Sequence, residues 1–93
     1  MKYLHQEFDV ESDDIVEVTL DGQANVMLLT TAEFDRYRRG DSYRYYGGLA
    51  KQSPVRLVPP NQGHWHVVVD LGGYAGHVRA EVRVVPNTVA LGS

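Results

Sequence analysis

Ninety-three residues suffice for one small hydrophobic core, and the lack of any cysteine excludes a disulfide framework and every thiolate metal site. No apolar run approaches the roughly 20 residues of a membrane span, and Met1–Glu7 has no apolar signal core, so a cytoplasmic, bacterial-type protein without a membrane partner is the expectation. The net charge of −3 is unevenly divided: residues 36–56 carry six basic side chains against the single acid Asp41, and the remainder carries three basic residues against eleven acids.

Tyr3–Val10 reads as a first strand at a sheet edge, with Leu4, Phe8 and Val10 facing one way and Tyr3, His5 and Glu7 the other. Glu11–Asp14 is a polar turn. Ile15–Leu20 alternates well, Val16, Val18 and Leu20 inward and Glu17 and Thr19 outward. Asp21-Gly22-Gln23 turns the chain tightly into Asn25–Leu29, a buried strand. A short helix near residues 31–39 follows. Thr30 is its N-cap, and Glu33 is placed to reach back in a capping box. Arg38 and Arg39 suit its negative end, and Gly40 stops it. Phe34 and Tyr37, three apart, pack on the sheet, while Asp35, Arg36 and Arg39 look outward.

Ser42–Tyr46 reads as a short aromatic strand broken by Gly47-Gly48, and Leu49–Pro54 as loop. Val55–Val58 is another strand. Pro59–Gly63 then connects it, as a long hairpin, to the strand on which the fold is centred. That strand, His64–Leu71, holds three consecutive valines, whose branched side chains favour a pleated surface. Trp65, Val67, Val69 and Leu71 share its inner face, with Trp65 as anchor. His64, His66, Val68 and Asp70 share the outer one. Val78, Ala80, Val82 and Val84 alternate with His77, Arg79, Glu81 and Arg83 in a half-solvated strand that Pro86 ends. The expected architecture is an all-β, jelly-roll-like antiparallel sandwich with one short helix, a single domain over residues 1–86 and a tail over 87–93.

Four strings carry a resemblance: Asp14–Leu20, Tyr45-Tyr46-Gly47-Gly48-Leu49-Ala50-Lys51, Ser53–Leu57 and Gly63–Tyr74, together with Met1–His5. In these the chain resembles a small bacterial family, domain of unknown function eighteen eighty-three, over nearly its whole length to about Val85. The family has no established activity. Some of its members are joined to Toll/interleukin-1-receptor type domains, which implies a sensing or interaction role.

Four kinds of chemistry merit weighing. The basic, aromatic segment from Arg36 to Arg56 could grip an anion and stack on a ring. Its plainer reading is a set of solubilising arginines, with Tyr43, Tyr45 and Tyr46 divided between core and surface. Gly47-Gly48 could admit a ligand to the backbone or simply mark a bend. They lie in no phosphate-loop spacing, and the acidic total argues against nucleic acid. His64 and His66 share a face, but Asp70 lies about 13 Å from His66 along the strand, too far for one ion to reach both. His5 and His77 could supply a further ligand, yet outward, solvated histidines explain the pattern as well, and no metal or cofactor is expected. No nucleophile elbow or other catalytic constellation is present, so the chain is expected not to be an enzyme.

The expectation is therefore a non-catalytic binding or protein-interaction module. Its contact surface comprises Tyr45, Tyr46, Gly47, Gly48, Lys51 and Tyr74, and Arg36, Arg39, Arg44 and Arg56 supply positive charge. The partner is a protein, with self-association into a homo-oligomer included. The alternative is a small anionic ligand such as a nucleotide or sugar phosphate. A concave pocket with converging donors favours the ligand, and a flat aromatic patch the protein.

Overall fold

The computed structural model describes residues 3–72 and 76–86. Seven strands and one helix occur in the order β1 (Tyr3–Val10), β2 (Ile15–Leu20), β3 (Ala24–Leu29), α1 (Thr31–Arg39), β4 (Tyr46–Ala50), β5 (Val55–Leu57), β6 (Gly63–Asp70) and β7 (Ala80–Val85). They form two antiparallel sheets, one of four strands in the order β1-β6-β3-β4 and one of three in the order β5-β2-β7. The all-β sandwich with one short helix is thus present, and β6 is a central strand with β1 at the edge beside it.

The alternating apolar positions meet between the sheets. Val16, Val18 and Leu20 of β2 face Ala24, Val26 and Leu28 of β3 and Trp65, Val67 and Val69 of β6, all buried. Trp65 is the largest of them, and its indole N–H donates to the Asn61 carbonyl at 2.8 Å. The polar edge of the ring is thereby satisfied inside an apolar layer.

A second layer lies on the other side of the four-stranded sheet. Met27, Leu29 and Val68 point away from the first core and are buried under Phe34 and Tyr37 of α1, with Tyr43 packed alongside. A nine-residue helix is marginal alone in water, so it is this burial that holds it, Phe34 contributing about 1.5–3 kcal/mol. Its ends follow the sequence closely. The Thr30 hydroxyl accepts from the Glu33 N–H at 3.3 Å. Gly40, at φ 80°, closes the other end, its N–H bonding the Tyr37 carbonyl and the Asp41 N–H the Arg36 carbonyl.

Several expectations are corrected. The tight turn at Asp21-Gly22 is a corner and the Pro59–Gly63 segment is a corner rather than a hairpin, because the strands on either side of each belong to different sheets. The first of these corners is pinned to the chain before β7, where the Arg79 N–H donates to Asp21 Oδ1 at 2.7 Å and the Asp21 N–H to the Arg79 carbonyl at 3.2 Å. Gly47-Gly48 does not break a strand. β4 runs through both, with Gly47 opposite Met27 and Gly48 opposite Val26, whereas 42–45 lies outside any strand. A Cβ on Gly47, at φ 117°, would run into the Val26 carbonyl oxygen, so this glycine serves close backbone approach within the sheet. The outer face of β6 is solvated only at His64, because α1 covers the rest and buries His66 and Asp70. Tyr74 and the tail from residue 87 lie outside the described residues.

Candidate functional site

The helix and the segment after it place the basic residues of 36–44. Three of the four arginines there are matched by neighbouring acids. Arg36 lies 3.9 Å from Glu33, Arg38 2.6 Å from Asp35 and Arg39 3.2 Å from Asp41. Only the Arg44 guanidinium, of these four, has no carboxylate within 4.0 Å among the described residues. Glu33 does not close a capping box. Its Oε1 instead accepts from the Arg44 backbone N–H at 2.6 Å, tying the segment after the helix back to the helix's first turn.

That tie shapes a groove of about 600 Å3 lined by Leu28, Thr30, Glu33, Tyr43, Arg44, Tyr45 and Tyr46. Tyr43 and Tyr45 are tilted against each other at 5.6 Å, and Tyr46 meets the buried Trp65 edge-on at 5.9 Å. Tyr45 and Tyr46 are exposed. A smaller hollow of about 300 Å3 adjoins the groove and brings Arg36 and Ser42 beside Glu33, Tyr43 and Arg44.

The remaining residues of the expected surface are dispersed. Gly47, Gly48 and Lys51 line a separate, shallow groove with Leu49, Pro54 and Val55. Arg39 is occupied by Asp41. Arg56 belongs to the three-stranded sheet, on whose outer face it pairs with Glu17. It therefore adds nothing to the charge around Arg44. Glu17 is clamped from both sides, with Arg56 Nε at 3.1 Å and Arg83 Nε at 2.7 Å, and the Arg83 hydrogen bond foremost holds its carboxyl below the usual glutamate range.

A second cluster occupies the outer face of the β1–β6 pair, where the register sets Glu7 opposite His66 and Asp9 opposite His64. His5 Nε2 lies 2.8 Å from His66 Nδ1, and His66 Nε2 lies 2.9 Å from the Thr31 hydroxyl. Phe34 stacks on both rings, at 4.0 Å from His5 and 4.8 Å from His66. Burial is the first cause that lowers the pKa of both histidines. His64 differs. Its two ring nitrogens face carboxylates, Asp9 at 2.8 Å and Glu7 at 2.9 Å, and these bonds, that to Asp9 first, raise its pKa. One ligand atom each from His5, Glu7 and His66 lies within 4.8 Å of the others.

Asp70, at the far end of the same face, is fully engaged elsewhere. It accepts from the Tyr37 hydroxyl at 2.7 Å, from Asn25 Nδ2 at 2.9 Å and from the Gly72 N–H at 2.9 Å. Its role is to tie helix to sheet. Burial and this bond together push the Tyr37 hydroxyl pKa well up. Sequence reasoning places His64 and His66 on one face but not His5 and Glu7 beside them. The alternation of β1 does set His5 and Glu7 on a common face, and only the antiparallel register was missing.

No helix among the described residues is long and apolar enough to cross a membrane. Neither curated proteins nor solved structures yield a match. A family model does match, over residues 1–88, which is nearly the whole chain and includes both clusters. On that match the chain belongs to the family described as domain of unknown function (DUF1883).

Proposed function

We propose that the chain is a binding module without catalytic activity, and that its ligand is a small anion with a flat ring, of the nucleotide or sugar-phosphate kind, held in the tyrosine groove. The supporting observation is the conjunction at Arg44. Its guanidinium has no carboxylate within 4.0 Å among the described residues, Glu33 engaging only its backbone N–H, while its three neighbours in the helix are matched, and it lines the same concavity as three tyrosines. A guanidinium can take an anion by two parallel hydrogen bonds, and tyrosine rings offer stacking area with a hydroxyl donor at the rim. Concavity favours a small ligand over a broad protein contact.

A second reading rests on β4. It is an edge strand of the four-stranded sheet, and Tyr46 and Leu49 on it are both exposed. An extended segment of a partner protein, or of a second copy, could add to that edge.

A thermal-shift screen against nucleotides and sugar phosphates tests the first reading. Ligand at 100 times its dissociation constant adds about 2.7 kcal/mol, and each kcal/mol moves the midpoint of a domain this size by roughly 4–8 °C. The expected result is a shift with one ligand class that disappears in Arg44→Ala and persists in Lys51→Ala. A silent panel, or a shift that survives Arg44→Ala, refutes it. A silent panel accompanied by a dimer in light scattering that Leu49→Asp dissociates would favour the edge-strand reading.

A further inference from the structure

We propose that His5, Glu7 and His66 form a binding site for a divalent transition-metal ion of the zinc class, with His5 Nε2, His66 Nδ1 and one Glu7 carboxylate oxygen as ligands. The site shares no residue with the tyrosine groove.

The geometry is close to what such an ion requires. Two imidazole nitrogens bound tetrahedrally at about 2.0–2.1 Å lie roughly 3.3 Å apart. The His5 and His66 nitrogens already face one another at 2.8 Å, so the rings need separate by only a few tenths of an ångström. Glu7 Oε2 lies 3.9 Å from His5 Nε2, and its side chain is half exposed. Glu7 neighbours both histidines, because it follows His5 by two residues on β1 and lies directly opposite His66 on β6.

The surroundings are those of a supported ligand set. A metal-bound histidine commonly donates its other N–H to an oxygen that fixes the tautomer. His66 Nε2 has such an oxygen in Thr31 Oγ1 at 2.9 Å. Its Nδ1 lone pair is thereby directed at His5 and the ion. Both rings are further held by stacking on Phe34. The Glu7 carboxylate is steadied through its other oxygen, Oε1, which lies 2.9 Å from His64 Nε2. Arg38, whose guanidinium lies over the Phe34 ring at 5.2 Å from its centroid, is paired with Asp35 at 2.6 Å, which offsets its repulsion of a bound ion.

Two imidazoles and one carboxylate select zinc, cobalt or nickel over calcium and magnesium, which prefer all-oxygen shells. His66 is buried, His5 half-buried and Glu7 exposed. The ion would therefore lie with one side against the protein and at least one coordination position toward solvent. That arrangement can accept a further ligand, as closed structural zinc sites cannot.

The test is a calorimetric titration of the metal-free full chain with zinc chloride, paralleled by NMR of the histidine ring nitrogens. One ion per chain is expected, with the His5 and His66 ring nitrogens shifting and His77 unmoved. His5→Gln and Glu7→Gln lie on an exposed edge strand and keep the fold, as circular dichroism would verify. Each should weaken binding by about tenfold or more, and Thr31→Val, which touches no ion, by about 10–100-fold. Magnesium and calcium chloride should give no saturable signal. Absence of saturable zinc binding overturns the proposal. So does zinc binding that is unchanged in both His5→Gln and Glu7→Gln, and so does an equal response to magnesium.

Discussion

Tyr37→Phe isolates the contact that fastens the helix to the sheet. The ring is 7 % exposed and its hydroxyl donates to Asp70 Oδ2 at 2.7 Å, while Asp70 is itself 5 % exposed. Removing the hydroxyl leaves the apolar contacts in place, since the edge-on packing of the ring against Tyr3 and Tyr43, both at 5.2 Å, uses only carbon. What is lost is a hydrogen bond to a buried carboxylate. The Asn25 and Gly72 donors both go to the other oxygen, Oδ1, so among the described residues Oδ2 is left with no partner. Bonds to charged groups contribute about 1.5–3 kcal/mol, and at roughly 4–8 °C per kcal/mol the melting midpoint should fall on the order of 10 °C. Urea unfolding should show a lower midpoint at unchanged slope, because the same surface is exposed. A double-mutant cycle with Asp70→Asn should return most of that free energy as coupling. A loss below about 0.5 kcal/mol would mean that the bond is not held in solution and that packing alone seats the helix.

Other perturbations are equally specific. Trp65→Ala should cost about 3–5 kcal/mol in denaturant unfolding, and a cost under about 1 kcal/mol would contradict its place as core anchor. Gly47→Ala at φ 117° drives a methyl group into the Val26 carbonyl. It should destabilise by more than about 1 kcal/mol, whereas Gly40→Ala, with open space around its Cβ, carries only the conformational cost of about 1 kcal/mol. Glu17 sets a pH dependence. Its folded pKa lies below the ordinary value of 4.5, Arg83 being the first cause and Arg56 the second cation. Its contribution is complete above the unfolded value and drains away as pH falls through the folded one. Melting curves of the wild type and Glu17→Gln should therefore differ at neutral pH and converge in acid. Parallel curves down to low pH would show that the pairs with Arg56 and Arg83 add nothing.

Much of the fold can be read from local pattern. The alternation in Ile15–Leu20 and Trp65–Leu71, the Thr30 cap and the Gly40 stop each depend on neighbours a few residues away, and each lies where that pattern puts it. What periodicity does not contain is what covers a face. The outer side of β6 reads as solvated because His64, His66 and Asp70 are polar, but α1 lies over its middle and far end and turns His66 and Asp70 into buried, hydrogen-bonded groups. Nor does a turn signal say which sheet the next strand joins, so Pro59–Gly63 reads as a hairpin and is a corner. The basic segment misleads for a related reason. Charge counted over residues 36–56 ignores partners contributed by the first turns of the helix and by β2, and Glu33, Asp35 and Glu17, with Asp41 inside the segment, pair four of its six basic residues. Of the expected contact residues, Arg44, Tyr45 and Tyr46 converge on one groove, with Arg36 in the hollow beside it. The imidazole–carboxylate cluster required a cross-strand register that no single stretch encodes.

The ladder pattern also governs how the molecule comes to be. Among the described strands no ladder joins sequence neighbours through a tight turn. Tyr3 pairs with Asp70 and Val10 with Gly63, Ile15 with Val85, and even β3 meets β4 only after the helix. Each of these pairings must close a long loop before it gains any contact, which places the chain among slow folders, on the order of milliseconds to seconds. On the ribosome β1 emerges first and waits for β6. During that interval its open edge and the apolar side chains of Leu4, Phe8 and Val10 are without their native cover, and a chaperone or a neighbouring nascent chain would find them there.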